Sequence, residues 1–148
     1  MEGRYFIDTN VLVYANDRSS PDKLKTARAL LAHALSSRRG CLSTQVLQEF
    51  FVVVTRKAGV SPGNARAQIL HLTCLDVVEI DADLVLGAID LHLLDRISFW
   101  DALIVKSARA GGCGTLFSED LKHGRRHDGV RVHDPFKHPP AFLGAGKH

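Results

Sequence analysis

Short apolar runs alternate along this chain with longer segments whose apolar residues recur every three or four positions. This alternation restricts the fold more than any other feature of the sequence. The short runs are Tyr5-Phe6-Ile7, Cys41-Leu42-Ser43, Val77-Val78-Glu79-Ile80, Thr115-Leu116-Phe117 and Val130-Arg131-Val132. The segments between them carry helix signals. Ser20-Pro21-Asp22 combines an N-cap, a first-turn proline and an acid near the positive helix end. Leu24, Ala27, Leu31, Ala34 and Leu35 follow on one face, and Gly40 is expected to stop that helix. Ser61-Pro62 opens another helix by the same logic. Asp81 is placed to cap a helix whose apolar residues include Leu84, Val85, Ala88, Leu91 and Leu94. Ser98-Phe99-Trp100-Asp101 reads as a capping box, with the helix running through Ile104, Val105 and Ala108 to Gly111-Gly112. Gln45 to Ala58 contains the β-branched run Val52-Val53-Val54-Thr55, which propensity alone assigns to a strand. Its unbroken length and its end at Gly59 favour a helix. Strands alternating with helices predict an α/β fold with a mainly parallel sheet.

The 148 residues fit one domain and show neither a repeat nor a linker. We expect the domain to occupy residues 1–138 and the Pro/Gly-rich stretch 139–148 to be a loosely held tail. No apolar run approaches the ~20 residues of a membrane span. Met1-Glu2-Gly3-Arg4 leads straight into the first short run, without the apolar core of a signal peptide. Cys41, Cys74 and Cys113 form no Cys-x-x-Cys pair, so a reduced, cytoplasmic protein is expected. Charge is uneven: residues 121–148 hold six Lys/Arg against two Asp/Glu, a net +4, which leaves −1 for the first 120. A polyanion partner accounts for that basic end, and so does a solvated surface.

Four acids stand apart by context. Asp8 and Asp120 each follow a strand, and parallel strands bring them to the same edge of the sheet, where ligand sites of open α/β sheets lie. Either residue also suits a helix cap or a turn. Glu49 on a helix has Val46, Val52 and Val53 as neighbours, an apolar face on which a carboxylate is costly unless paired. On a strand it would lie at the exposed end of an alternating run. Asp101 fits the first turn of a helix as a capping acid, a position that also aims a carboxylate outward from a helix start. Other patterns are weaker. Gly111-Gly112-x-Gly114 follows a helix and precedes a strand, the reverse of a dinucleotide fingerprint, and suits a helix end and turn. His127, His133 and His138 lack the fixed spacing and paired cysteines of a zinc finger.

Four blocks together resemble the PIN-domain family, most closely the VapC-type toxin ribonucleases. They are Ile7-Asp8-Thr9-Asn10-Val11-Leu12-Val13-Tyr14, Leu42-Ser43-Thr44-Gln45-Val46-Leu47-Gln48-Glu49-Phe50, Phe99-Trp100-Asp101-Ala102-Leu103-Ile104 and Leu116-Phe117-Ser118-Glu119-Asp120-Leu121. The resemblance runs from about Tyr5 to Phe136. It implies a three-layer α/β/α sandwich, and a catalytic metal site at Asp8, Glu49, Asp101 and Asp120 with hydroxyls from Thr9 and Ser118 beside it. It implies Mg²⁺, with Mn²⁺ as a substitute, which oxygen-only ligands suit. The activity implied is endoribonuclease, as the toxin of a type II toxin–antitoxin pair, with RNA as substrate, an antitoxin protein as partner and a homodimer as the assembly. A PIN nuclease of RNA maturation and a non-catalytic RNA-binding module are the rival readings. Lys122, Arg125 and Arg126, close after Asp120, are candidate contacts to the RNA backbone.

Overall fold

A computed structural model describes residues 3–144. The strands are β1 (Arg4–Ile7), β2 (Gly40–Ser43), β3 (Asp76–Val78), β4 (Cys113–Phe117), β5 (Arg126–His127) and β6 (Val130–His133). The helices are α1 (Thr9–Val13), α2 (Pro21–Ser37), α3 (Thr44–Arg56), α4 (Pro62–Leu72), α5 (Ala82–Asp95) and α6 (Phe99–Ala110). One sheet runs in the order β3-β2-β1-β4-β6-β5. Every pair in it is parallel except the β5–β6 edge. This is the expected α/β architecture.

Both faces of the sheet are covered, so the central strands carry apolar residues almost without interruption. Tyr5 and Phe6 point to opposite faces, as successive strand residues must. Tyr5 meets His33 of α2, with ring centroids 5.9 Å apart. On the other face, α6 lies over β2 and β4, and α5 packs on the outside of α6. The core joins Phe6, Ile7, Leu42, Leu116 and Val132 of the strands to Leu30, Val46, Ile104 and Val105 of the helices.

Most local expectations agree with the structure. Ser43, Ser61, Asp81 and Ser98 each cap a helix by accepting a backbone N–H with the side chain. The segment with β-branched residues is α3, and its buried residues Val46, Phe50 and Val54 recur every four positions. Five details differ. Ser20 stands at the N-cap of α2 but makes no side-chain bond to the helix. Gly40 does not stop α2. Arg38 ends the helix in the left-handed region, at φ 60°, and Gly40 begins β2, where a Cβ would overlap that of Ala34. Leu30, not Leu31, is fully buried on α2. Leu94 is 79% exposed, because α5 turns only one side toward α6. The hairpin strand β5 has no counterpart in the apolar pattern, since two residues carry no period.

The expected tail begins with residues that lie against the domain. Pro140 is buried, and Phe142 stacks on His33 at 4.0 Å and on Tyr5 at 5.4 Å. Residues 145–148 lie outside the described residues. Among the described residues no helix is long and apolar enough to cross a membrane.

Candidate active site

The chain leaves β1 toward β2 on one side, while β4 lies on the other. The crevice at the carboxyl ends of β1 and β4 is therefore the point where strand order reverses, the expected place for a ligand in such a sheet. Asp8 sits there. Its N–H continues the ladder by donating to Phe117 O at 2.9 Å. Its side chain caps α1, accepting from Thr9 N at 2.7 Å. The other carboxylate oxygen accepts from Ser118 Oγ at 2.9 Å and from Asn10 Nδ2 at 3.1 Å. The capping role foreseen for Asp8 thus exists alongside a second one, because a cap alone does not require a carboxylate buried to 4% exposure.

Ser118 and Thr9 are the connectors. The Ser118 hydroxyl donates to Asp8 and accepts the Asp120 backbone N–H at 3.2 Å. The Thr9 hydroxyl donates to Glu49 Oε1 at 2.7 Å, and Gln45 Nε2 donates to Glu49 Oε2 at 3.1 Å. These bonds satisfy Glu49 on its apolar helix face without a cation. Asp101 enters from the first turn of α6, where its N–H donates to Ser98 Oγ at 3.0 Å. Asp120 is exposed on the loop after β4.

The charges of Glu49 and Asp120 act on both Asp8 and Asp101. Burial, and then these like charges, push the Asp8 carboxyl up to about 7 despite the hydrogen bonds from Ser118 and Thr9. Asp101 is raised for the same two reasons, against its bond to Ser98 and the influence of His127. No lysine or arginine is among the leading influences on either acid. The four predicted acids therefore share one electrostatic site with a deficit of positive charge.

The donor set fits a hard divalent cation: all candidate ligands are oxygens, and like charge destabilises them when they are empty of a counter-ion. Among the described residues no three His, Cys, Asp or Glu side chains converge closely enough to enclose an ion.

Three neighbours escaped the sequence reading. Asn10 bridges Asp8 and Ser118 with its amide nitrogen, and its oxygen accepts from Glu119 N at 3.0 Å. Gln45 grips Glu49 from one helical turn earlier, a spacing visible in the sequence. Glu119 accepts from Tyr14 OH at 2.9 Å and forms an ion pair with Lys23, tying the loop that bears Asp120 to α2.

The basic candidates separate. Lys122 and Arg125 are exposed in the turn after Asp120, where Arg125 N donates to Lys122 O. Arg126 lies on β5 opposite Arg131. It lines a cavity of about 320 Å³ with Arg39, Tyr5 and Thr115 that none of the four acids borders. His127 pairs with Asp95 at 2.7 Å, apart from His133, which bonds His138 O, so the histidines form no joint ligand set. Gly111 and Gly112 form the end of α6 and the turn into β4.

An α/β domain that collects carboxylates at the switch point of a parallel sheet defines a class, and likeness to known proteins gives the family. Residues 5–127 match the family described as PIN domain, and the chain belongs to that family. No curated protein matches the chain by sequence. The structure is similar to that of Mycobacterium tuberculosis VapC20, described as a sarcin–ricin loop cleaving toxin. The TM-score is 0.64 at 25% identity, over 86% of this chain and 98% of that one. The fold is shared with the DNA-bound VapBC of Salmonella typhimurium, at TM-score 0.63 and 17% identity, covering 89% of this chain and 98% of that one. It is shared also with VapBC2 of Rickettsia felis bound to a promoter fragment, at TM-score 0.61 and 21% identity, covering 87% and 96%.

Proposed function

We propose that this protein is a Mg²⁺- or Mn²⁺-dependent endoribonuclease and the toxin of a type II toxin–antitoxin pair. One observation carries the reading. Asp8 is buried, held by hydrogen-bond donors and raised to about 7 by burial and by neighbouring acids, with no lysine or arginine among the leading influences. Such a site stores a demand for positive charge, and perturbed acids clustered at a sheet switch point mark functional sites.

In this reading Asp8 and Asp101 are the direct ligands, and Glu49 and Asp120 act through water. A bound Mg²⁺ or Mn²⁺ supplies Lewis acidity and offsets the charge that develops on the phosphate. Ser118 and Asn10 fix the Asp8 carboxylate. Thr9 and Gln45 fix Glu49, leaving lone pairs that orient the attacking water. Water attack needs no RNA 2′-hydroxyl, so no 2′,3′-cyclic phosphate should form; with the 3′-oxygen as the leaving group, the products end in 5′-phosphate and 3′-hydroxyl.

The likeness to VapC20 and to VapBC complexes supports the toxin assignment and an antitoxin partner. Leu86, Ile89 and Leu93 form an exposed apolar stripe on α5. Stripes of this kind mark protein interfaces, and they suit the antitoxin and a homodimer. The reading places the protein in the cytoplasm.

The test is direct. Purified protein, free of antitoxin, should cleave structured RNA with Mg²⁺ or Mn²⁺ and stop on addition of EDTA. Cleavage that leaves 2′,3′-cyclic phosphates, or that persists in EDTA, would contradict the mechanism.

A further inference from the structure

Trp100 immediately precedes Asp101 in the first turn of α6, and it is 61% exposed. Phe99 braces its ring edge to face, with centroids 5.0 Å apart. The indole forms one side of a groove of about 360 Å³. Val52 and Val53 of α3 line it with Gln45, Gln48 and Glu49 of the same helix. The groove therefore opens beside two of the four acids.

Gln45 supplies a second, independent observation. The residue is 4% exposed, and its Nε2 donates to Glu49 Oε2 at 3.1 Å and toward Trp100 O at 3.4 Å. Its Oε1 is buried without a partner, the one such side-chain atom among the described residues. Flipping the amide would set that oxygen against two acceptors, so the orientation is fixed by the network. A buried acceptor without a donor is a cost that native structures rarely carry unexplained.

An occupant must therefore offer a flat face to the indole, apolar contact to the valines and a donor for Gln45. It must also be joined to a group that belongs near the carboxylates and their cation. A nucleobase on a phosphodiester backbone has all four properties. The apolar side chains of a second copy of this chain would cover the valines but leave the Gln45 carbonyl unsatisfied.

We propose that this groove is a nucleobase subsite, in which one unpaired RNA base beside the cleaved phosphodiester stacks on Trp100 and donates to Gln45 Oε1. The inference rests on the ribonuclease reading. Gln45 Oε1 is closed to solvent here, so this bond forms only when binding shifts the side chains that cover it. Unpaired bases are favoured because a base held in a duplex presents no free face.

Trp100 is the only tryptophan in the chain, so intrinsic fluorescence reports on this groove alone. The native protein with Mg²⁺ should be titrated, by rapid mixing ahead of cleavage, with a short single-stranded RNA, and in parallel with an abasic ribose-phosphate oligomer of equal length. The RNA should quench the emission and the abasic oligomer should not. Trp100→Ala should weaken RNA binding, read by anisotropy, roughly 5- to 150-fold, and Trp100→Phe should recover most of the loss. Unquenched emission on adding RNA, or equal affinity in Trp100→Ala, would overturn the subsite. Emission that changes with protein concentration alone would assign the groove to a second copy and overturn it too. Cleavage by the native protein separates the two readings. Quenching without metal-dependent cleavage keeps the base site and removes the ribonuclease, whereas cleavage without quenching does the reverse.

Discussion

Asp8 closes a helix, anchors a hydrogen-bond network and faces two like charges from a buried position, and these roles conflict when no cation is present. The conflict has a sign. The folded carboxyl titrates near 7, and an unfolded aspartate near ~3.9. The folded state thus keeps a proton that the unfolded chain releases between those values. The stability this brings is complete below about pH 4 and is lost as pH rises through 7, at up to about 1.4 kcal/mol per pH unit. Metal-free protein should show a falling urea midpoint from pH 5 to pH 8, and Asp8→Asn should reduce that slope to the part left by Asp101, whose carboxyl is also raised. His123 is shifted down, chiefly by desolvation and by His138 and His133, so it contributes with the opposite sign and remains in both proteins. Excess Mg²⁺ should raise the melting temperature more at pH 8 than at pH 5, because the cation competes with the Asp8 proton. An equal slope in Asp8→Asn would show that another group governs the profile. The acids themselves were readable in the sequence, since each stands at the end of a strand, at the start of a helix or on an apolar helical face. Asn10 was not, because it acts by touching an acid and its own surroundings in the sequence are ordinary, whereas Gln45 left only its helical spacing from Glu49 as a signal.

At the level of elements, the helix identity of α3 decides whether a site exists. As a strand, Thr44–Arg56 would carry Glu49 to an exposed end; as a helix it sets Val46, Phe50 and Val54 into the core and leaves Glu49 on the flank, where Thr9 reaches it. Uninterrupted length and the terminal Gly59 outweighed the β-branched run in predicting that outcome. The hairpin was missed for the converse reason. Asp128 and Gly129 both have positive φ, 52° and 80°, the signature of a tight turn between antiparallel strands. The turn signal was present, but β5 is too short to show a period. That omission mattered, because β5 carries Arg126 opposite Arg131 and away from the acids. Gly40, read from the sequence as a helix stop, instead serves packing between α2 and β2, and Arg38 makes the left-handed turn. Gly40→Ala should therefore destabilise the fold by about 1–3 kcal/mol through overpacking against Ala34. Urea denaturation would check this, and a change below about 0.5 kcal/mol would mean that α2 shifts away freely.

Across the whole molecule, strand order does the gathering. Residues separated by more than a hundred positions, Asp8 and Ser118, touch because β1 and β4 are neighbours, and the helices that follow β2 and α5 bring Glu49 and Asp101 to the same end. The alternation of runs predicted this layered architecture, whereas the spread of positive charge was invisible without the edge hairpin. If the gathered carboxylates hold a cation used to hydrolyse RNA, the loss of either direct ligand must cost rate. Single-turnover cleavage of one RNA by the native protein, Asp8→Asn and Asp101→Asn at saturating Mg²⁺ measures that cost most directly. Each variant should be slower by at least ~100-fold, because positioning and charge stabilisation fail together. Native rates in both variants would contradict a cation held for hydrolysis.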